Sequence, residues 1–127
     1  MNFEKVLCAF FIVLALTLNF GFFIGDIDNP AHHDGLELAG ALVVSVIATI
    51  MKFGDRSQMG AVLLATSLVA DLQLLIAAGT WIWAVNITDA GLTPEITSRI
   101  VSLSGGALLA NLVSVTLLIS ETISIRR

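Results

Sequence analysis

The sequence predicts an all-α membrane protein, a four-helix transmembrane bundle forming one domain over residues 1–127, and three observations lead there. A hydrophobic content of 57% with a mean hydropathy of +0.96 is more apolar than a soluble core of this size can hide. The apolar residues gather into four runs, each near the roughly 20 residues that cross a hydrocarbon layer about 30 Å thick. Charged residues, only 13% of the chain, collect mainly in the links and at the ends.

The first run, Val6 to Gly25, reads VLCAFFIVLALTLNFGFFIG and follows Lys5. It is longer than the apolar stretch of a secretory signal and lacks a small-x-small cleavage site, so it reads as a retained helix of about residues 6–25. A polar link, DIDNPAHHDG, is broken by Pro30 and leads into the second helix, residues 36–53. After the turn GDRSQ comes the third, residues 59–85, longer than the bilayer requires and therefore expected to tilt. Trp81 and Trp83 are placed to mark the headgroup level where it emerges. The link NITDAGLTPE precedes the fourth helix, residues 96–120, and the chain closes with ETISIRR.

Basic residues near membrane ends stay on the cytoplasmic side, which sets the orientation. With four crossings Lys5, Lys52, Arg56, Arg126 and Arg127 share one side, and Arg99 is the exception. Both termini and the middle turn are expected inside. The outer links then collect Asp26, Asp28, Asp34, Glu37, Asp89 and Glu95, a negative field that attracts cations.

Four spans and three short links leave no room for a soluble catalytic or nucleotide-binding module. No enzyme activity and no cofactor are expected. A net charge of -4 gives nucleic acid nothing to hold. The single cysteine, Cys8, lies inside the first run and reads as packing, with no CxxC pair for thiol chemistry.

Four groups of residues carry the chemical interest. Asp71 is the one carboxylate deep in a span, 12 residues past Met59 and so about 18 Å along the helix, near the bilayer midplane. A charge there is costly, roughly 2.5 to 3.5 kcal/mol on insertion scales, so the side chain is expected to face the bundle. With no Lys or Arg expected at that depth, its neighbours are sought among Gln73, Asn111, Ser67, Ser45, Asn19 and Ser114. Three readings stay open: a protonated hydrogen-bond donor that locks helices, a carrier of a proton or cation, and a contact with a partner's charged helix. The second group is the cytoplasmic turn, where Lys52 and Arg56 would hold headgroups while Asp55 or Ser57 caps the third helix.

The third group is a stripe at four-residue spacing on the fourth helix, Ser102, Gly106, Ala110 and Ser114, suited to close helix packing within one chain or between chains. The second helix offers a similar row, Ala41, Ser45 and Thr49. The fourth group, His32, His33, Asp34 and Glu37, sits at the outer mouth of the second helix. Imidazole and carboxylate suit a divalent metal or a pH response. The same residues also spell helix capping, Asp34 with Glu37 as a capping box and Asn29 before Pro30 as a second cap.

The block KFGDRSQMGAVLLATSLVADLQLL, Lys52 to Leu75, resembles a family of small four-helix bacterial inner-membrane proteins that bears only an unknown-function label. The resemblance implies the four-helix fold and a bacterial inner membrane, and implies no activity. Other families fail on their residues. The first helix holds Asn19 where small multidrug-resistance transporters need a glutamate, and both histidines lie in a link rather than in the membrane as haem-binding bundles require. The Phe53-Gly54-Asp55 triplet lacks the upstream Thr-Val-Gly of a potassium filter.

The expected function is that of a non-enzymatic ancillary or oligomeric subunit of an ion-transport or other membrane complex. The alternative is a self-sufficient proton- or cation-coupled transporter, built as a homo-oligomer and using Asp71. The expected partners are the lipid bilayer, further copies or a larger complex, and a proton or cation. Topology is checked by labelling Ser57→Cys in intact cells: a membrane-impermeant thiol reagent should not reach it, and labelling from outside would reverse the orientation.

Overall fold

Four helices form where the apolar runs lie, and local chemistry explains where each begins and stops. The computed structural model describes residues 3–26, 28–53 and 58–126, with side chains as far as Ile123. Among these the chain forms α1 (Phe3–Phe23), one 3-10 turn (Pro30–His32), α2 (Gly35–Lys52), α3 (Gln58–Asn86) and α4 (Pro94–Arg126), with no strand. Each of the four helices is long and apolar enough to cross a membrane, so the chain is an all-α multi-pass membrane protein.

Helix α1 ends two residues before Gly25, whose φ of +113° is open to glycine but strained for other residues. That turn folds the link back over the end of α1. Asn29 caps the 3-10 turn by accepting from Ala31 N (3.0 Å), with Pro30 in the first position. Asp34 caps α2 by accepting from Leu36 N (2.9 Å). Thr93 Oγ1 accepts from Ile96 N (3.2 Å) at the start of α4, where Pro94 is the first residue. The helices pack in the cyclic order α1, α2, α3, α4, each against two neighbours and antiparallel to both.

Every helix buries a seam whose steps alternate between three and four residues. In α1 it is Ile12, Ala15, Asn19 and Phe22; in α2 Leu38, Ala41, Ser45, Ala48 and Lys52, with Thr49 beside it. In α3 it runs Gly60, Leu63, Ser67, Ala70, Leu74 and Ala77, with Ala84 two turns beyond, and in α4 Thr97, Ile100, Ser104, Ala107, Asn111 and Ser114. A 3.5-residue repeat is the packing geometry of left-handed bundles. Small and polar side chains fill much of this inside, while Leu72, Leu75, Ile76 and Leu109 face outward. Such an arrangement suits lipid, where close backbone approach matters more than burial of oil. Exposed Thr17, Thr80 and Thr122 donate to carbonyls of their own helices, so no lipid-facing hydroxyl among these three is left unbonded.

One expectation is corrected. The stripe Ser102, Gly106, Ala110 and Ser114 is not the seam of α4: Ser102 is exposed, Gly106 and Ala110 are half-buried, and only Ser114 is buried. Steps of four residues overshoot a helical turn by about 40° each, so a long row at that spacing walks around the helix. Gly106 still serves close packing, because a Cβ there would stand 2.5 Å from Gln73 Oε1. Trp81 is half-buried at the level of the ends of α1 and α2, edge-on to Phe22 at 5.8 Å between ring centres and over Gly35, whereas Trp83 points outward.

The seam's tolerance for volume is testable. Ala70 is fully buried, so Ala70→Leu should destabilise the bundle by roughly 1–3 kcal/mol in detergent unfolding, as overpacked cores do. The reverse truncation at the outward Leu72, Leu72→Ala, should leave stability nearly unchanged.

Candidate functional site

The largest fully buried apolar side chains, Phe22, Leu38, Leu74, Ile100 and Val101, gather toward the end of the bundle that carries the α1–α2 and α3–α4 links. Much of the buried polarity lies toward the other end, where α2 and α3 face each other. Ser45 and Thr49, one turn apart on α2, present their hydroxyls to Asp71 on α3. Ser45 Oγ donates to Asp71 Oδ1 (2.6 Å) and Thr49 Oγ1 to Oδ2 (2.5 Å). Thr49 Oγ1 is also 2.9 Å from its own helix's Ser45 carbonyl, so its one proton has two acceptors within reach.

One turn further along α2, Lys52 is only 4% exposed. Its Nζ donates to Ser67 Oγ and, at 3.5 Å, to the Leu63 carbonyl, both on α3. This corrects the expectation that Lys52 reaches out to headgroups. The residue occupies a seam position at the end of α2, so its stem is carried along α3 and the ammonium finds helix oxygens. It also corrects the expectation that no cation lies near Asp71, since the Lys52 ammonium is within electrostatic reach of Asp71 and of Cys8. Asp55 and Arg56 of the same turn lie outside the described residues.

The polar residues expected around Asp71 are therefore divided. Ser45 joins it, together with Thr49, which the sequence reading had placed only in a packing row. Ser67 serves Lys52. Asn19 on α1 hydrogen-bonds Ser104 on α4 (2.8 Å). Ser114 on α4 meets Thr66 on α3 at 2.5 Å; because Thr66 also donates to the Leu63 carbonyl (2.9 Å), Ser114 is the donor between them. Gln73 lies against Gly106 with its Oε1 buried and unbonded among the described residues, and Asn111 is buried on the α4 seam. Cyclic packing explains the division: Asp71 looks toward α2, whereas Ser114 meets α3 on a different face.

The four residues expected as metal ligands diverge. His33 is 4% exposed, with Nδ1 2.6 Å from the Phe22 carbonyl and Nε2 2.7 Å from the Asp26 carbonyl. His32 Nδ1 accepts from Asp26 N (2.9 Å). Asp34 is the cap of α2. The Glu37 carboxylate lies over Gly21 of α1, where a Cβ would otherwise be, rather than closing a capping box. Among the described residues no three of His, Cys, Asp and Glu are grouped to hold a metal ion. Capping and backbone hydrogen bonds have taken His32, His33 and Asp34 instead.

The polar contacts thus fasten every neighbouring pair of helices: Asp71 and Lys52 for α2 with α3, Thr66 and Ser114 for α3 with α4, Asn19 and Ser104 for α1 with α4, and His33 for the α2 entry with α1. Hydrogen bonds between membrane helices couple by about 0.6 kcal/mol on average and up to about 1.7 kcal/mol. A double-mutant cycle of Ser45→Ala with Asp71→Ala in detergent unfolding should give a coupling within that span. Strictly additive effects would mean that the clasp contributes nothing.

Over residues 32–122 the sequence matches a protein family described as a family of unknown function, DUF6394. No curated protein and no solved structure matches the chain. The matched stretch contains His33, all of α2 and α3, and α4 as far as Thr122, and with it the Lys52-to-Leu75 block on which the resemblance to an unknown-function family was read. By that match the chain belongs to the DUF6394 family of unknown function.

Proposed function

We propose that this protein is a non-enzymatic ancillary or oligomeric subunit of an ion-transport or other membrane complex, seated in a bacterial inner membrane with both termini cytoplasmic. One observation carries the reading: the buried polar groups of the spans are largely engaged in fastening neighbouring helices. Asp71, Lys52, Asn19, Ser104, Thr66 and Ser114 each bond across a helix interface. A bundle so committed to its own assembly suits a structural partner better than a catalyst. The concentration of Lys and Arg at one end supports the orientation.

A second reading, proton or cation coupling through Asp71, is favoured by a specific feature of the same site. The Thr49 hydroxyl has one proton and two acceptors. A proton added to Asp71 Oδ2 would be donated to Thr49 Oγ1, which would then give its own proton to the Ser45 carbonyl. The site therefore accommodates Asp71 with or without a proton by turning one hydroxyl, as a proton carrier must.

One experiment separates the two. Extraction from native membranes in mild detergent, followed by mass spectrometry, should find the chain in an assembly larger than one copy. Reconstituted alone into liposomes carrying a pH-sensitive dye, it should be silent, and Asp71→Asn should assemble as the wild type does. A single chain that dissipates an ion gradient by itself, and ceases to do so as Asp71→Asn, would overturn the subunit reading in favour of coupling.

A further inference from the structure

We propose that His33 is a proton-operated clasp that ties the α1–α2 link to the end of α1, independent of either functional reading above. Both of its ring nitrogens lie against main-chain carbonyl oxygens, Nδ1 at 2.6 Å from Phe22 O and Nε2 at 2.7 Å from Asp26 O. A carbonyl oxygen only accepts. A neutral imidazole has one N–H and one lone pair, so it satisfies one of these contacts and sets its lone pair against the other oxygen. The imidazolium, with an N–H on each nitrogen, donates to both.

The neighbouring histidine provides the contrast. His32 Nδ1 accepts a hydrogen bond from Asp26 N (2.9 Å), which requires an unprotonated nitrogen and hence a neutral ring. Two adjacent histidines are therefore held by the backbone in opposite ways, one as an acceptor and one as a double donor. His33 is also the buried one of the pair.

The place it occupies suits a cation. The Phe22 carbonyl is in the last turn of α1, where carbonyls lack in-helix donors and carry the negative end of the helix dipole. Helix α1 has no basic residue in that turn, so the His33 ring supplies the missing charge. The Phe22 ring, 5.4 Å from the imidazole between centres, adds an aromatic neighbour, and Trp81 packs behind it.

The other titratable groups nearby are accounted for. Within the link, the Asp26 carboxylate turns toward His32 at 3.9 Å and Asp28 is exposed. At the start of α2, Asp34 caps the helix and Glu37 lies over Gly21. The facing stretches of α1 and α3, around Phe22 and Trp81, contain no charged residue, and on α4 the exposed Arg99 pairs with Glu95 at 3.1 Å.

Histidine changes charge between about pH 5 and 8. With the ring protonated both bonds hold and the link is pinned across the end of α1. When one ring proton leaves, one of the two bonds is lost and the link loosens beside the Phe22 and Trp81 core.

The test combines two readouts in lipid nanodiscs between pH 5 and 8. Histidine labelled with nitrogen-15 reports the protonation of both ring nitrogens, with His32 as an internal reference. A spin label at Ala31→Cys, in a chain carrying Cys8→Ala, reports the order of the link. At the acid end both His33 nitrogens should carry protons and the label should be restrained; on raising the pH the label should shift to a mobile spectrum in step with the His33 signal. His33→Gln should lose that pH dependence and His32→Gln should keep it. If His33→Gln does not fold, the two wild-type titrations decide. A His33 ring that stays neutral at pH 5, or a label whose mobility ignores the His33 titration, overturns the proposal.

Discussion

In a bilayer an apolar side chain gains almost nothing by exchanging lipid for another helix, and the rest of this structure depends on that constraint. What brings four helices together must be close backbone approach and polar contact. The chain obeys this throughout: alanine, glycine, serine and threonine recur along the seams, and leucine and isoleucine are common on the outside. A soluble four-helix bundle of the same length would show the opposite arrangement. Each seam also carries polar groups that water would have satisfied in a soluble protein, and here the helices satisfy most of them for one another.

The interior that results has two characters. Toward the α1–α2 and α3–α4 links it is packed with Phe22, Leu38, Leu74, Ile100 and Val101, with Trp81 closing on Phe22. Toward the α2–α3 turn it holds an acid and a base within electrostatic reach of each other, joined to hydroxyls of the opposite helix. With both groups ionised the pair is neutral as a whole, which lowers the cost of burying either charge. A buried Lys without its acid, or the reverse, leaves an uncompensated charge where lipid cannot help. The α2–α3 interface is thus where polarity matters most to assembly and where chemistry, if the protein performs any, has its groups in place.

At the opposite end polarity works on the backbone instead. His32, His33 and Asn29 bond to main-chain groups of the link and Asp34 to the first turn of α2, with the positive φ of Gly25 turning the chain before them. Such residues resemble a metal site in sequence because caps and metal ligands draw on the same side chains. The difference is orientation. Capping groups turn toward nearby amides and carbonyls, whereas ligands converge on one point, and only coordinates distinguish the two.

By itself the sequence determined the class of the protein and its elements. Runs of apolar residues measure the bilayer, and turn chemistry at Asn29, Pro30 and Asp34 marks the start of the second helix, because both signals are local in the chain. The depth of Asp71 in its span was also legible, since it follows from counting residues. Its partners were not. Which face of α3 meets α2 or α4 depends on the cyclic order of the helices and on the 3.5-residue seam, which a row of small residues at four-residue spacing on α4 misrepresented. Only the tertiary structure decided that Lys52 turns inward to Ser67, that Thr49 joins Ser45 at Asp71, and that Asn19 belongs to Ser104. These are contacts between residues far apart in the chain, selected by packing geometry, and a one-dimensional pattern carries depth along a helix but not direction around it.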